Sequence, residues 1–168
     1  AAMNPCRCGY FGDPNHQCTC SPAAVRKYLD RISGPMLDRI DIIIELPSVS
    51  YDEISGGRPD GEPSATIRAR VNAARAFAEK RQADAKETAV LNGAMTPAML
   101  RKYCNITEEA KDLMREAFDS LGLSARGHDR ILRVARTIAD LDGSEMIEAD
   151  HIGEAIMYRS LDRKYWHR

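Results

Sequence analysis

The chain has 168 residues, 43% of them hydrophobic, which suffices for the buried core of one ordinary domain or of two small ones. Its 24 basic and 25 acidic side chains give a net charge of −1, which excludes the overall basic excess of a dedicated nucleic-acid-binding protein. No apolar run approaches the roughly 20 residues of a membrane span and no secretory pattern opens the chain, so we expect a cytoplasmic protein without a membrane partner.

Four cysteines near the start of the chain form two closely spaced pairs, Cys6 with Cys8 and Cys18 with Cys20. Two thiol pairs on either side of a turn-rich loop suit a tetrahedral zinc site, which would be structural because four thiolates leave no position for a catalytic water. The one-residue spacing is tighter than the usual two to four residues, so disulfides and free thiols remain alternatives. His16, inside the loop, is an alternative ligand, although a solvated side chain is the simpler interpretation.

The segment after the cysteines predicts two helical pieces and a strand. Ser21 is a typical N-cap for a helix over about Pro22 to Asp30, and a short helical turn follows at Met36–Arg39. The β-branched run Ile42–Ile44 is too short for a helix and predicts a buried strand. Residues 48–62 are rich in Ser, Gly, Asp and Pro, which predicts a linker.

The rest of the chain predicts helices, joined by a loop over residues 83–95. They run from Ser64 to about Gln82, from Thr96 to Tyr103, from Thr107 to Leu121, from Ser124 to about Leu141 and from about Ala149 to Arg159. Ser64 and Ser124 are the expected caps of two of these helices, and Gly122 the terminator of a third. The helix after Ser124 is the most amphipathic, and three arginines opposite its apolar face predict a solvated basic surface: Arg126, Arg130 and Arg133. Cys104 is expected to be a small buried hydrophobe.

Several short motifs follow one another in a distinctive order. They are Asn-Pro-Cys-x-Cys-Gly-Tyr at 4–10, Cys-x-Cys at 18–20, Ile-Ser-Gly-Pro-Met-Leu-Asp-Arg-Ile-Asp at 32–41, Ser-Ala-Arg at 124–126 and Leu-Arg-Val-Ala-Arg-Thr-Ile-Ala-Asp-Leu at 132–141. With these motifs, the chain resembles the magnesium-chelatase-like AAA+ ATPases of the ComM/YifB type over nearly its whole length.

The resemblance implies the C-terminal third of such a protein, with a mixed α/β remnant followed by an α-helical bundle. The remnant of the AAA+ α/β core with its Cys-rich insert would cover residues 1–47, a linker 48–62, the helical lid domain 63–163 and a tail 164–168. Because the remnant would lack neighbouring strands, we expect it to expose apolar surface.

The resemblance also assigns roles to three polar residues. Asn4 matches sensor 1, which places a polar group near the γ-phosphate, and Arg39 matches the arginine finger that reaches a neighbouring subunit's nucleotide. Arg126 matches sensor 2, the lid arginine that contacts phosphate in its own subunit. Local sequence alone would make Asn4 a turn residue and Arg39 an ion-pair partner of Asp38 or Asp41.

The function implied by the resemblance is that of a ring-forming, hexameric motor that couples hydrolysis of ATP with magnesium to DNA remodelling and branch migration in natural transformation. The 168 residues contain no G-x-x-x-x-G-K-[ST] loop, and Asn4 precedes any strand that could carry a Walker B carboxylate, so this chain alone is expected to be inactive and monomeric.

Two alternatives belong to other classes of protein. One is a zinc-stapled nucleic-acid-binding module, and the other is a chelatase-type subunit that remodels a protein partner. For the DNA of the motor itself, the candidate contacts are Arg68, Arg70, Arg75 and Arg81 on one helix and the aromatic pair Tyr165-Trp166 in the basic tail.

Overall fold

The structure, a computed structural model, describes residues 1–56, 61–83 and 90–166, with the side chains of Glu53 and of residues 160–166 excepted. The helices are α1 (Pro22–Leu29), α2 (Gly34–Leu37), α3 (Tyr51–Ser55), α4 (Ser64–Arg81), α5 (Pro97–Tyr103), α6 (Glu108–Leu121), α7 (Ala125–Leu141) and α8 (Ala149–Trp166), with a 3₁₀ turn at Asn92–Ala94. The chain divides into two compact units, Ala1–Arg58 with Arg159–Arg168, and Pro59–Tyr158. None of the described helices is long and apolar enough to cross a membrane.

Local capping chemistry sets the helix ends. Ser21 and Ser124 are confirmed as N-caps, since their side chains accept hydrogen bonds from backbone N–H groups three residues further on, and Thr96 and Thr107 cap α5 and α6 in the same way. Gly122 is confirmed as a terminator, with φ of 53° in the left-handed region that favours glycine. The predicted cap at Ser64 is wrong, because α4 begins at Ser64 and the residue before it is a proline.

The predicted helical bundle is confirmed in the second unit, where α5 to α8 surround a common core. The buried positions of α6 recur three or four residues apart, as amphipathic periodicity predicts. Helix α8 buries Ile152 and Ala155, and its buried positions also include the polar residues His151 and Arg159. The buried members of the core are Met95, Leu100, Tyr103, Cys104, Ala110, Met114, Ile131, Leu132, Ala135, Ala139, Ile147, Ile152 and Ala155. The backbone outside helices adds a parallel bridge between Ile106 and Ile147.

The predicted buried strand at Ile42–Ile44 is wrong. These residues form no regular structure, and Ile42 and Ile44 are 52% and 61% exposed. A strand needs a neighbouring strand to hold its backbone hydrogen bonds, and the described part of the chain supplies none. The expected apolar surface of the first unit is confirmed, and it continues through Leu46, which is 80% exposed.

The structure differs from the predictions at three further places, in α4, in the linker and at the end of α8. The apolar stripe of α4 does not enter a core, since Ile67 and Val71 are 41% and 37% exposed and no described residue of α4 is buried. Helix α3 lies inside the predicted linker, and α8 continues to Trp166, beyond its predicted end at Arg159. Parts of the predicted linker, loop and tail, residues 57–60, 84–89 and 167–168, lie outside the described residues.

Candidate functional site

The four N-terminal cysteines meet in one cluster. Their Sγ atoms all lie within 4.8 Å of one another. The separations are 3.3 Å from Cys6 to Cys8, 3.8 Å from Cys6 to Cys18 and 3.6 Å from Cys8 to Cys18. Zn–S bonds of about 2.3 Å in a tetrahedron place sulfurs about 3.8 Å apart, so this donor set fits a tetrahedral metal ion.

Turn chemistry and helix packing produce the cluster. The chain turns after the first cysteine pair, where the N–H of Gly9 donates to the carbonyl oxygen of Cys6 at 3.2 Å and Gly9 has φ of 90°. Behind the cysteines, Val25 and Leu29 of α1 are buried and pack with Cys6, which is itself 1% exposed. The cysteine cluster is therefore held in place by packing on α1 and by a tight turn.

Backbone N–H groups point at the sulfurs. Hydrogen bonds from the N–H groups of Tyr10 and Thr19 lower the pKa of Cys8 to about 5. At Cys18 the N–H of Cys20 acts in the same direction, but burial and hydrogen bonds with Cys8 and Cys6 prevail and raise the pKa of Cys18 to about 12. One thiol of the cluster therefore loses its proton much more easily than another. A bound divalent cation would favour the thiolate form of all four cysteines.

Neither His16 nor Cys104 belongs to the cysteine cluster. The ring of His16 is not part of the cluster, because it stacks on Tyr10 with centroids 4.7 Å apart and its Nδ1 lies 3.3 Å from Asp13 Oδ1. Cys104 is confirmed as a buried hydrophobe in the core of the second unit, where burial raises its pKa to about 11. None of the five cysteines forms a disulfide bond in this structure.

Two of the residues matched to nucleotide chemistry lie in the first unit. Asn4 is exposed, and Arg39 is exposed just after α2. The buried Arg159 holds both neighbours of Arg39, donating to the carbonyl oxygen of Ile40 at 2.9 Å and to Asp38 Oδ1 at 3.4 Å. The backbone on either side of Arg39 is therefore anchored while its side chain reaches solvent.

The third matched residue, Arg126, lies in the second unit. It is exposed in the first turn of α7, two residues after the N-cap Ser124. Free N–H groups at this end of a helix attract anions, which suits contact with phosphate. The predicted solvated basic face of α7 is wrong at Arg133, whose Nε and terminal nitrogen donate to the carbonyl oxygen of Met95 at 3.3 and 2.9 Å.

Sequence reasoning missed a buried ionic network on α7. Arg136 is 0% exposed and donates to Asp140 Oδ1 at 3.0 Å and to the carbonyl oxygen of Glu145 at 2.9 Å. Arg81 of α4 also donates to both oxygens of Asp140, and Asn92 donates to it at 2.7 Å. The available signal was an Arg and an Asp four residues apart at positions that continue the apolar stripe.

The candidate DNA contacts on α4 differ in availability. Arg81 is occupied within the network, and Arg70 forms a bidentate pair with Glu62 at 3.0 and 2.9 Å. Arg68 and Arg75 are exposed. The side chains of Tyr165 and Trp166 lie outside the described residues.

Both the cysteine-bearing segment and the helical bundle that follows it match models of one protein family. The model described as "Magnesium chelatase, subunit ChlI C-terminal" matches residues 61–159, and the one described as "Magnesium chelatase, subunit ChlI" matches residues 1–54. The chain belongs to the magnesium chelatase subunit ChlI family.

Individual relatives extend this result to nearly the whole chain. YifB of Escherichia coli (strain K12) is 39% identical over 99% of this chain, and YifB of Salmonella typhimurium is 36% identical over 99%. The competence protein ComM of Haemophilus influenzae is 33% identical over 97%. The chain spans 31% of each YifB and 30% of ComM.

Proposed function

We propose that this chain is the sensor-1-to-lid portion of a ring-forming AAA+ ATPase that uses ATP and magnesium to remodel DNA. Asn4 and Arg39 act on the reacting phosphate, and Arg126 binds phosphate from the lid. The proposed parts are a core remnant at 1–47, a linker at 48–62, the lid at 63–163 and a tail at 164–168. The active form is a hexamer in the cytoplasm.

The placement of Arg39 is the observation that carries this proposal. An arginine finger needs an exposed guanidinium on a fixed backbone, so that its planar charge meets the phosphate of another subunit. Arg159 supplies the fixed backbone by binding the carbonyl oxygen of Ile40 and the carboxylate of Asp38. The DNA part of the proposal rests on similarity to ComM, which is named a competence protein.

The cysteine cluster has a structural role in this proposal. Cys6, Cys8, Cys18 and Cys20 would hold one zinc ion with no position left for a substrate or a water. When bound, zinc cross-links the two ends of the loop over residues 9–17 and supplies folding free energy. Two candidate DNA contacts of the motor, Arg81 and Arg70, are engaged by carboxylates of the chain itself, which leaves Arg68 and Arg75 as the exposed candidates on α4.

The test uses a chimeric YifB in which this chain replaces the matching 31% of that protein. Arg126→Ala should lower kcat/KM for ATP hydrolysis about a hundredfold, the usual cost of losing one donor to transition-state charge. Arg101→Ala, which removes another exposed arginine of the same unit, is the matched control and should leave kcat/KM within twofold. Equal effects of the two substitutions would refute the lid assignment, and a chimera whose hydrolysis is unaffected by branched DNA would refute the DNA part.

A further inference from the structure

The loop between the cysteine pairs carries two adjacent aromatic residues that the nucleotide chemistry does not use. Tyr10 and Phe11 are consecutive residues of the loop and are 42% and 39% exposed. Exposed aromatic residues that are adjacent in the chain are candidates for a binding surface.

The loop is built to hold these side chains in place. The N–H of Asp13 donates to the carbonyl oxygen of Tyr10 at 3.2 Å, closing a turn around Phe11 and Gly12, and Gly12 has φ of 84°. Asp13 Oδ1 accepts hydrogen bonds from the N–H groups of Asn15 and His16 at 2.7 and 2.9 Å. A fixed aromatic platform loses little conformational entropy when a ligand binds.

One face of the platform is already stacked. The His16 ring lies against the Tyr10 ring at 4.7 Å with an angle of 24° between the planes. Stacking on His16 fixes the orientation of the Tyr10 ring, and 42% of the residue remains exposed to a further planar group.

The exposed charges of residues 1–32, the segment that contains the loop, favour an anionic partner. The four basic residues between Ala1 and Ile32 are all exposed: Arg7, Arg26, Lys27 and Arg31. Of the two acidic residues in this stretch, Asp13 turns its carboxylate inward to the loop backbone, with 16% of its side chain exposed, and only Asp30 is exposed. Aromatic rings can stack on planar bases and exposed cations can contact phosphates, so this segment has the groups that bind a nucleic-acid strand.

We propose that Tyr10 and Phe11 form a stacking platform for unpaired bases of single-stranded DNA, with exposed cations of the same segment contacting its phosphates. This platform rests on the proposed DNA-directed function and names its substrate as an unpaired strand rather than a duplex. Stacking on aromatic rings is tolerant of sequence, so the platform would hold a strand without reading it.

The experiment measures binding of this chain to a fluorescein-labelled 12-nucleotide oligothymidylate by fluorescence anisotropy. Tyr10→Ala and Phe11→Ala should each raise Kd at least about fivefold, and Tyr10→Phe should retain affinity within twofold because the stacking ring remains. The control is Phe118→Ala, which removes a side chain of similar exposure, 40%, from α6 in the other unit and should leave Kd unchanged. An abasic strand of the same length should bind at least fivefold more weakly than oligothymidylate.

Three results would overturn the platform: no binding of oligothymidylate, equal affinity for the abasic strand, or equal effects of Phe11→Ala and Phe118→Ala. Circular dichroism of each variant separates loss of the platform from loss of folding, and the Tyr10→Phe variant keeps the test valid if an alanine variant unfolds. DNA-free ATP hydrolysis by the YifB chimera with Tyr10→Ala should be unchanged. Failure of the motor proposal would appear in that assay with the Arg126→Ala variant, whereas failure of the platform would appear only in the oligonucleotide assay.

Discussion

Arg136 donates its Nε–H to Asp140 Oδ1 at 3.0 Å, and neither side chain is more than 2% exposed. The same carboxylate binds Arg81 from α4, so one buried negative charge serves two guanidinium groups. Burial lowers the pKa of Arg136 below its ordinary value, and the negative charge of Asp140 opposes this shift. The carboxylate of Asp140 therefore favours the charged form of the arginine. The network connects α4 and the turn at Asn92–Ala94 to the helix that carries Arg126.

Removing the shared carboxylate should be strongly destabilising. Asp140→Ala leaves two guanidinium groups partly or wholly buried without a counter-charge, and we expect the free energy of unfolding in urea to fall by about 3–5 kcal/mol. Asp112→Ala removes a carboxylate that is 74% exposed and paired with Arg115, and should change stability by less than about 0.5 kcal/mol. Similar losses for the two variants would show that the network contributes nothing specific.

The cysteine cluster predicts about one zinc ion per chain, measured by elemental mass spectrometry on protein purified without chelators. Cys6→Ser removes the most buried ligand and should abolish stoichiometric zinc, because three thiolates leave an open coordination position. Cys104→Ser is the matched control, since that thiol lies in the other unit and should leave zinc content unchanged. Zinc retained at full stoichiometry by Cys6→Ser would remove Cys6 from the ligand set.

Asp13 makes the loop sensitive to acid. The N–H of Asn15, followed by the N–H and ring of His16, lowers the pKa of Asp13 below its ordinary value of 3.8. Because the pKa is lower in the folded chain, the carboxylate stabilises the loop at pH above 3.8, and this contribution is lost as pH falls through the folded value. The amide signals of Asn15 and His16 in NMR spectra should therefore shift with an apparent pKa below 3.8. Asp13→Asn should abolish that titration, and its persistence in the variant would assign the shift to another group.

Arg159 should act on ATP hydrolysis through Arg39. Arg159→Ala releases the carbonyl oxygen of Ile40 and the carboxylate of Asp38, so the finger loses its fixed base. In the YifB chimera we expect kcat to fall at least tenfold with the Kd for ATP changed less than threefold, since the anchor does not bind nucleotide itself. Arg159→Lys should recover part of the rate. A parallel loss of nucleotide affinity would indicate general unfolding of the first unit.

Features that depend on residues close by in the sequence were predictable, and features that depend on contacts with distant residues were not. The caps at Ser21 and Ser124 and the terminator at Gly122 were predictable because each acts within a few residues of its own position. Ile42–Ile44 was misread as a buried strand because β-branched residues suit a sheet, but a strand forms only where another strand meets it. Hydrophobic periodicity overlooked Arg136, since it assigns every charge to the surface.

At the candidate site, the cysteine cluster was predictable from the sequence and the aromatic stacking beside it was not. The closeness of Cys6, Cys8, Cys18 and Cys20 follows from two short pairs joined by a turn, whereas the stacking of His16 on Tyr10 depends on side-chain orientation that spacing does not encode. The roles of Asn4, Arg39 and Arg126 came from motif resemblance and remain predictions.

The rate of ATP hydrolysis by the YifB chimera carrying Arg39→Ala decides whether this chain supplies an arginine finger to a ring ATPase. We expect kcat to fall about a thousandfold or more, with the Kd for ATP changed less than threefold, because a finger acts on transition-state charge and not on ground-state binding. A kcat within threefold of the unsubstituted chimera would contradict it.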